Sequence, residues 1–153
     1  QERLVAVIAV MLQETVNATQ SLCRPTKLSS FDGPKPHLSA SSYVKRIMKY
    51  SDASPCCLVV GAIYLERLKK RDDMVALTVY NFQRLFLVAV MLASKFLDDA
   101  YASNRIWAEI GGLMVEELNH LELEFLYRIA FSLSISREEY DWYAEELHRR
   151  ADL

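Results

Sequence analysis

Glycine and proline are scarce, with four of each among 153 residues. So little turn chemistry suits long helices joined by few loops. Cysteine is limited to three, an odd number, and Cys56 and Cys57 are adjacent, so no disulfide framework emerges. Reduced thiols and an intracellular setting, nucleus and/or cytoplasm, are the expectation. There is no CxxC, and His37, His120 and His148 lie far apart, so no metal site is expected. Neither charge dominates: 18 Lys and Arg against 20 Asp and Glu give a net charge of −2, which argues against a nucleic-acid partner. No apolar run approaches the roughly twenty residues that a bilayer span requires, so no membrane role is expected. The start, QERLVAVIAVML, has Glu2 where a signal peptide carries cations.

Catalytic signatures are missing as well. No GxGxxG or GxxxxGK occurs, and Gly111-Gly112 is too short to cradle a phosphate. Ser, Cys and His stand in no nucleophile signature. Asp98 and Asp99 are neighbours, and successive helical residues point about 100° apart, so they form no facing acid–base pair. These absences predict a non-enzyme without cofactor or small-molecule substrate.

What is present is apolar helix. Hydrophobic residues make up 52% of the chain, and charged residues 25%, the balance of an ordinary globular domain. From Leu85 to Ala93 every residue is apolar, so a helix there has no polar face and must be enclosed by others. The stretch Thr78–Asp99 is therefore expected to be the central helix of an all-α domain. Lys95 closes it; by itself this is a cation in a last turn, where the helix dipole favours one.

Other elements fall around that helix. Glu2–Val16 reads as a first helix, continuously apolar from Leu4 to Leu12, followed by a long loop over 17–37 carrying Pro25, Gly33, Pro34 and Pro36. A helix near Ser39–Tyr50 has a stripe of Tyr43, Val44, Ile47 and Met48. The next starts at Ser54-Pro55, with Ser54 as expected cap, and runs to Lys70; Gly61 in its middle marks a close helix crossing. Short and long helices follow near 105–110 and 115–131. A last one opens on the capping box Ser136-x-x-Glu139. The expected division is residues 1–35 as an N-terminal helix and loop, 36–135 as the core, and 136–153 as a C-terminal helix. Charges at the borders of apolar surface suit a protein-binding module, since rim charges orient a partner and apolar anchors hold it.

The order and spacing of SSYVKRIMKY, AIYLERL, FQRLFLVAVMLASKFLDDAYASNRIWAEIGGL and ELNHLELEFLYRIAFSLSIS resemble a cyclin box. The resemblance covers about residues 36 to 140. ASKFLDD-x-Y-x-x-N-x-x-W-A-x-x-GG, followed by ELN-x-LE-x-x-FL, is similar to the P/U-type cyclins, the branch related to the phosphate-signalling cyclin of yeast.

That resemblance implies five helices around the third, with N- and C-terminal flanking helices, and a regulatory subunit that binds and activates a cyclin-dependent protein kinase by docking on its C helix. The lysine and glutamate that hold the kinase in this family fall on Lys95 and Glu122, with Leu92, Phe96, Phe125 and Ile129 as candidate apolar contacts. The family's structural arginine–acid pair falls on Arg46 and Glu66, although aspartate is the commoner acid there. The alternative is a cyclin-like transcription-factor module binding DNA or polymerase machinery, for which Lys69, Lys70 and Arg71 are the only basic cluster.

Overall fold

The structure, a computed structural model, describes residues 2–20, 30–34, 38–71 and 76–152. Among them are seven helices and no strand: α1 (Glu2–Gln20), α2 (Ala40–Ser51), α3 (Cys56–Arg71), α4 (Phe82–Leu97), α5 (Asn104–Gly111), α6 (Val115–Arg128) and α7 (Arg137–Asp152). None of the described helices is long and apolar enough to cross a membrane. The helix α1 continues past Val16 to Gln20. Most of the expected loop, including Cys23, Pro25 and Pro36, lies outside the described residues.

The central element is α4, where every residue from Leu85 to Ser94 is buried. Full burial of each large aliphatic side chain stabilises the fold by about 1.5–3 kcal/mol, so this helix is the main hydrophobic contributor. Its closest neighbour is α3, itself enclosed from Cys57 to Leu65. Gly61 makes their approach possible: a Cβ there would stand 2.9 Å from Val90 Cγ2 and 3.3 Å from the Val90 backbone nitrogen. The remaining helices cover this pair. The apolar excess of α1 is absorbed mainly within the domain, where Val5, Val7, Ile8, Ala9, Leu12 and Val16 are buried. Leu147 of α7 is buried too, with Tyr140, Tyr143 and Ala144 packed on the core.

Residues 30–34 fasten the loop to the body. Phe31 is buried and meets Phe125 edge-on, with ring centroids 6.2 Å apart, and the Gly33 amide donates to the Tyr80 carbonyl at 2.9 Å. Two serines cap later helices, although the carboxylate of the expected capping box at Glu139 goes to Arg67. Ser103 caps α5 by accepting from the Ile106 amide, and Ser136 accepts from the Glu139 amide at 3.1 Å.

Ser54 does something else. The first turn of α3 forms by its backbone carbonyl accepting from the Cys57 amide at 2.9 Å, while its hydroxyl is turned onto Asp98. Beside it, burial pushes the Cys57 thiol up to about 12. Thiolate is the reactive form, so Cys57 is expected to resist iodoacetamide at neutral pH until the chain is unfolded in urea. Mass spectrometry of the alkylated native protein checks this; rapid native labelling of Cys57 would contradict the packing at the start of α3.

The arginine–acid pair is corrected. Arg46 donates from Nε to the Ile110 carbonyl at 2.8 Å and from Nη2 to the Glu109 carbonyl at 3.3 Å, so it ties α2 to the C-terminal end of α5. Glu66 faces α7 instead, where it borders a groove of about 400 Å³ with Tyr143 and Arg150. Burial and then the Glu66 charge push the Tyr143 hydroxyl up to about 12. The carbonyls ending α5 carry the negative pole of the helix dipole and compete successfully for the guanidinium. The tie from α3 is made one residue later. Arg67 holds the Ser132 carbonyl at 2.6 Å, the Ser134 carbonyl at 2.8 Å and Glu139 at 2.9 Å, clamping the α6–α7 connection.

Charged hydrogen bonds of this kind contribute about 1.5–3 kcal/mol each. Arg46→Ala is expected to lower the urea midpoint by a loss in that range, while Glu66→Ala changes it little. Equal losses in the two single variants, with no further loss in the double, would restore the Arg46–Glu66 pair.

Candidate functional site

The last turn of α4 and the middle of α6 meet at Lys95 and Glu122. Lys95 Nζ donates to Glu122 Oε2 at 2.8 Å, and the two side chains are 26% and 17% exposed. The pair sits at the surface rather than in the core. A partly exposed ion pair adds only about 0–1 kcal/mol to folding, so stability gives little reason for its placement.

Asn104, the first residue of α5, completes the arrangement. Its Nδ2 donates to Glu122 Oε1 at 3.1 Å and to Asn119 Oδ1 at 2.6 Å. Both oxygens of Glu122 are thereby oriented, one by each neighbour. Lys95 has three donors and spends one on Glu122, and each carboxylate oxygen keeps a lone pair. The cluster can therefore present both donors and an acceptor to an incoming chain. Asn104 was not among the expected site residues, since nothing in hydropathy singles it out; its place in the Y-x-x-N stretch is the signal that could have found it.

The apolar candidates divide sharply. Leu92, Phe125 and Ile129 are buried in the core, Phe125 partly beneath Phe31. They shape the surface without offering a free face. Phe96 is 48% exposed and is the one of the four that does. Beside it in sequence, Leu97 is exposed. On α6 the exposed apolar residues are Leu123 and Tyr127, followed by Phe131 just beyond the helix. Tyr127 stands 67% exposed. It meets Phe131 edge-on at 5.1 Å between ring centroids.

That aromatic pair depends on an unusual chain reversal. Helix α6 ends at Arg128, earlier than the sequence pattern suggested, and Ala130 and Phe131 take positive φ values of 52° and 56°. Residues with a Cβ adopt this region at a cost of about 1–2 kcal/mol each. The Phe131 amide donates to the Leu126 carbonyl at 2.8 Å and holds the turn.

Among the described residues no group of three or more His, Cys, Asp or Glu side chains is arranged to hold a metal ion.

The family model for cyclins matches residues 2–133. The chain belongs to the cyclin family. Its similarity extends to plant cyclins of the P and U types. Cyclin-U4-1 of Arabidopsis thaliana is 33% identical over 156 aligned positions, which cover 99% of this chain and 77% of the relative. Cyclin-U1-1 of the same plant is 32% identical, with 99% of this chain and 75% of the relative covered. Cyclin-P4-1 of Oryza sativa subsp. japonica is 34% identical over 142 positions, covering 88% and 67% respectively. The seven-helix arrangement around α4 is thus a cyclin box with flanking helices. A pair thus joins the last turn of this cyclin's central helix to α6, and the exposed Phe96 and Tyr127 lie on the same two helices.

Proposed function

We propose that this cyclin binds a cyclin-dependent protein kinase and activates it by docking against the kinase's C helix. The observation that carries the reading is the Lys95–Glu122 pair, held by Asn104 and followed along each chain segment by exposed apolar residues. Lys95 offers donors to carbonyls at a helix end, and Glu122 accepts from amides or a guanidinium. Phe96, Leu97, Leu123, Tyr127 and Phe131 supply apolar contact around that polar centre, the division of labour common in interfaces.

Docking acts allosterically. The cyclin contributes no catalytic group; it fixes the C helix so that the kinase's own Lys–Glu pair and Mg²⁺ ligands come into place. Residues 36–135 form the box that does this, with 1–35 and 136–153 as flanking segments. No observation favours a DNA-binding module.

The test is capture. Immobilised wild-type cyclin is expected to retain a cyclin-dependent kinase from purified candidates, in a one-to-one complex resolved by size-exclusion chromatography. A folded cyclin that retains none of them overturns the proposal.

A further inference from the structure

The last turn of α4 is held by a second polar cluster, built around Asp98. Asp98 ends the helix: its amide donates to the Ser94 carbonyl at 2.9 Å, and its own backbone is extended, with φ −84° and ψ 142°. The carboxylate folds back and gathers four donors. These are the Ser94 hydroxyl at 2.8 Å, the Ser54 amide at 3.2 Å, the Ser54 hydroxyl, and the Cys57 thiol at 3.5 Å. Two of these residues, Ser94 and Cys57, are buried. Ser54 lies in the α2–α3 connection, so one carboxylate joins the end of α4 to the start of α3.

We infer that Asp98 is a positioning residue for kinase docking, latching the turn that presents Lys95, Phe96 and Leu97 onto the N-terminal end of α3. The inference rests on the docking reading above. A helix's last turn frays because its final carbonyls lack intrahelical partners. Here the turn carries three of the residues offered to the partner, so a frayed turn would have to be ordered during binding, at a cost in affinity. Asp98 removes that cost in advance. Its carboxylate is taken up by Ser94, Ser54 and Cys57, whereas Phe96 and Leu97 are exposed. It therefore acts through its neighbours rather than by touching the kinase.

Protonation supports the same view. Burial alone would raise the Asp98 carboxyl, yet the hydrogen bonds from Ser54, Ser94 and Cys57 outweigh it and hold it below the ordinary aspartate range. The latch is charged at neutral pH. Because the folded-state value is depressed, its contribution is complete above the ordinary aspartate range and is lost as pH falls through the lower, folded value.

A double-mutant cycle separates positioning from general weakening of the fold. Asp98→Asn keeps size but removes the charge and one acceptor oxygen. Kinase affinity, by calorimetry, is expected to fall about tenfold or more in Asp98→Asn, and by a clearly smaller factor when the same substitution is made in Lys95→Ala, where only Phe96 and Leu97 remain to be presented. Hydrogen exchange on the free cyclin is expected to quicken at 54–58 and 94–98 in Asp98→Asn, with the centres of α3 and α4 unchanged. Equal losses in both backgrounds, or unchanged exchange at those segments, overturns the inference. A wild type that binds no cyclin-dependent kinase overturns the docking reading, and the latch to a kinase-facing turn with it; exchange then separately reports whether Asp98 orders the turn.

Discussion

Lys95→Ala is expected to weaken kinase binding severely while leaving the cyclin folded. Truncating one member of a desolvated, hydrogen-bonded charge pair in an interface costs about 2–5 kcal/mol, which is roughly thirtyfold to several-thousandfold in affinity. The free cyclin loses much less, because the Lys95–Glu122 contact is partly exposed and such pairs contribute about 0–1 kcal/mol to stability. Glu122→Ala is expected to behave similarly, leaving Asn104 without one of its acceptors. The exchanged double variant Lys95→Glu with Glu122→Lys is the sharper probe. It keeps an internal ion pair but reverses the sign offered to a kinase at each position. Affinity measured by calorimetry should remain lost in the exchanged protein. Recovery to wild-type affinity would mean that the pair serves only to join α4 to α6.

The largest effect on stability is expected at Gly61. Alanine at a helix interior ordinarily gains about 1 kcal/mol over glycine. Here its Cβ would stand 2.9 Å from Val90 Cγ2 and close to the Val90 backbone. Val90 is β-branched, stiff at χ1, and wholly buried in the middle of α4, so neither helix yields cheaply. Overpacking of this kind costs about 1–3 kcal/mol, enough to reverse the propensity gain. Gly61→Ala should lower the urea midpoint modestly, and Gly61→Leu should lower it by more than about 3 kcal/mol or prevent folding, by extension of the same overpacking. A Gly61→Ala variant more stable than wild type would show that α3 and α4 do not cross as closely as described.

These two positions illustrate what the amino-acid sequence could and could not convey. Gly61 was legible because a glycine inside an apolar helix has few other uses. Helix α4 was legible because an unbroken apolar run from Leu85 to Ala93 leaves no face for solvent. Lys95 was ambiguous from physics alone, being an ordinary cation at a helix end, and only its family position set it apart.

Side-chain partners were harder to anticipate. Arg46 was assigned an acid on the next helix, yet two carbonyls at the end of α5 hold it, and carbonyl oxygens leave no mark in a sequence. Arg67, one residue beyond Glu66, carries the cross-link from α3 by the same kind of invisible bond. Leu92, Phe125 and Ile129 could not be sorted from Phe96 by hydropathy, since core and interface select the same side chains. Their burial depends on long-range packing such as Phe31 reaching Phe125 across the chain. Tyr127 and Phe131 became visible as surface only once α6 was seen to end at Arg128 and the chain to reverse through two positive φ angles.

The proposed activation of a kinase through the Lys95–Glu122 face is open to a direct test. Its most direct measurement is phosphate transfer to a peptide by a purified cyclin-dependent kinase, titrated with wild-type cyclin and with Lys95→Ala. Wild-type cyclin is expected to raise the rate at least about a hundredfold, within the span by which assembly of an incomplete catalytic constellation changes phosphoryl transfer, and Lys95→Ala to shift the titration to far higher concentration. Equal activation by the two proteins at equal concentration would contradict the proposal, as would a kinase that binds the wild type and stays inactive.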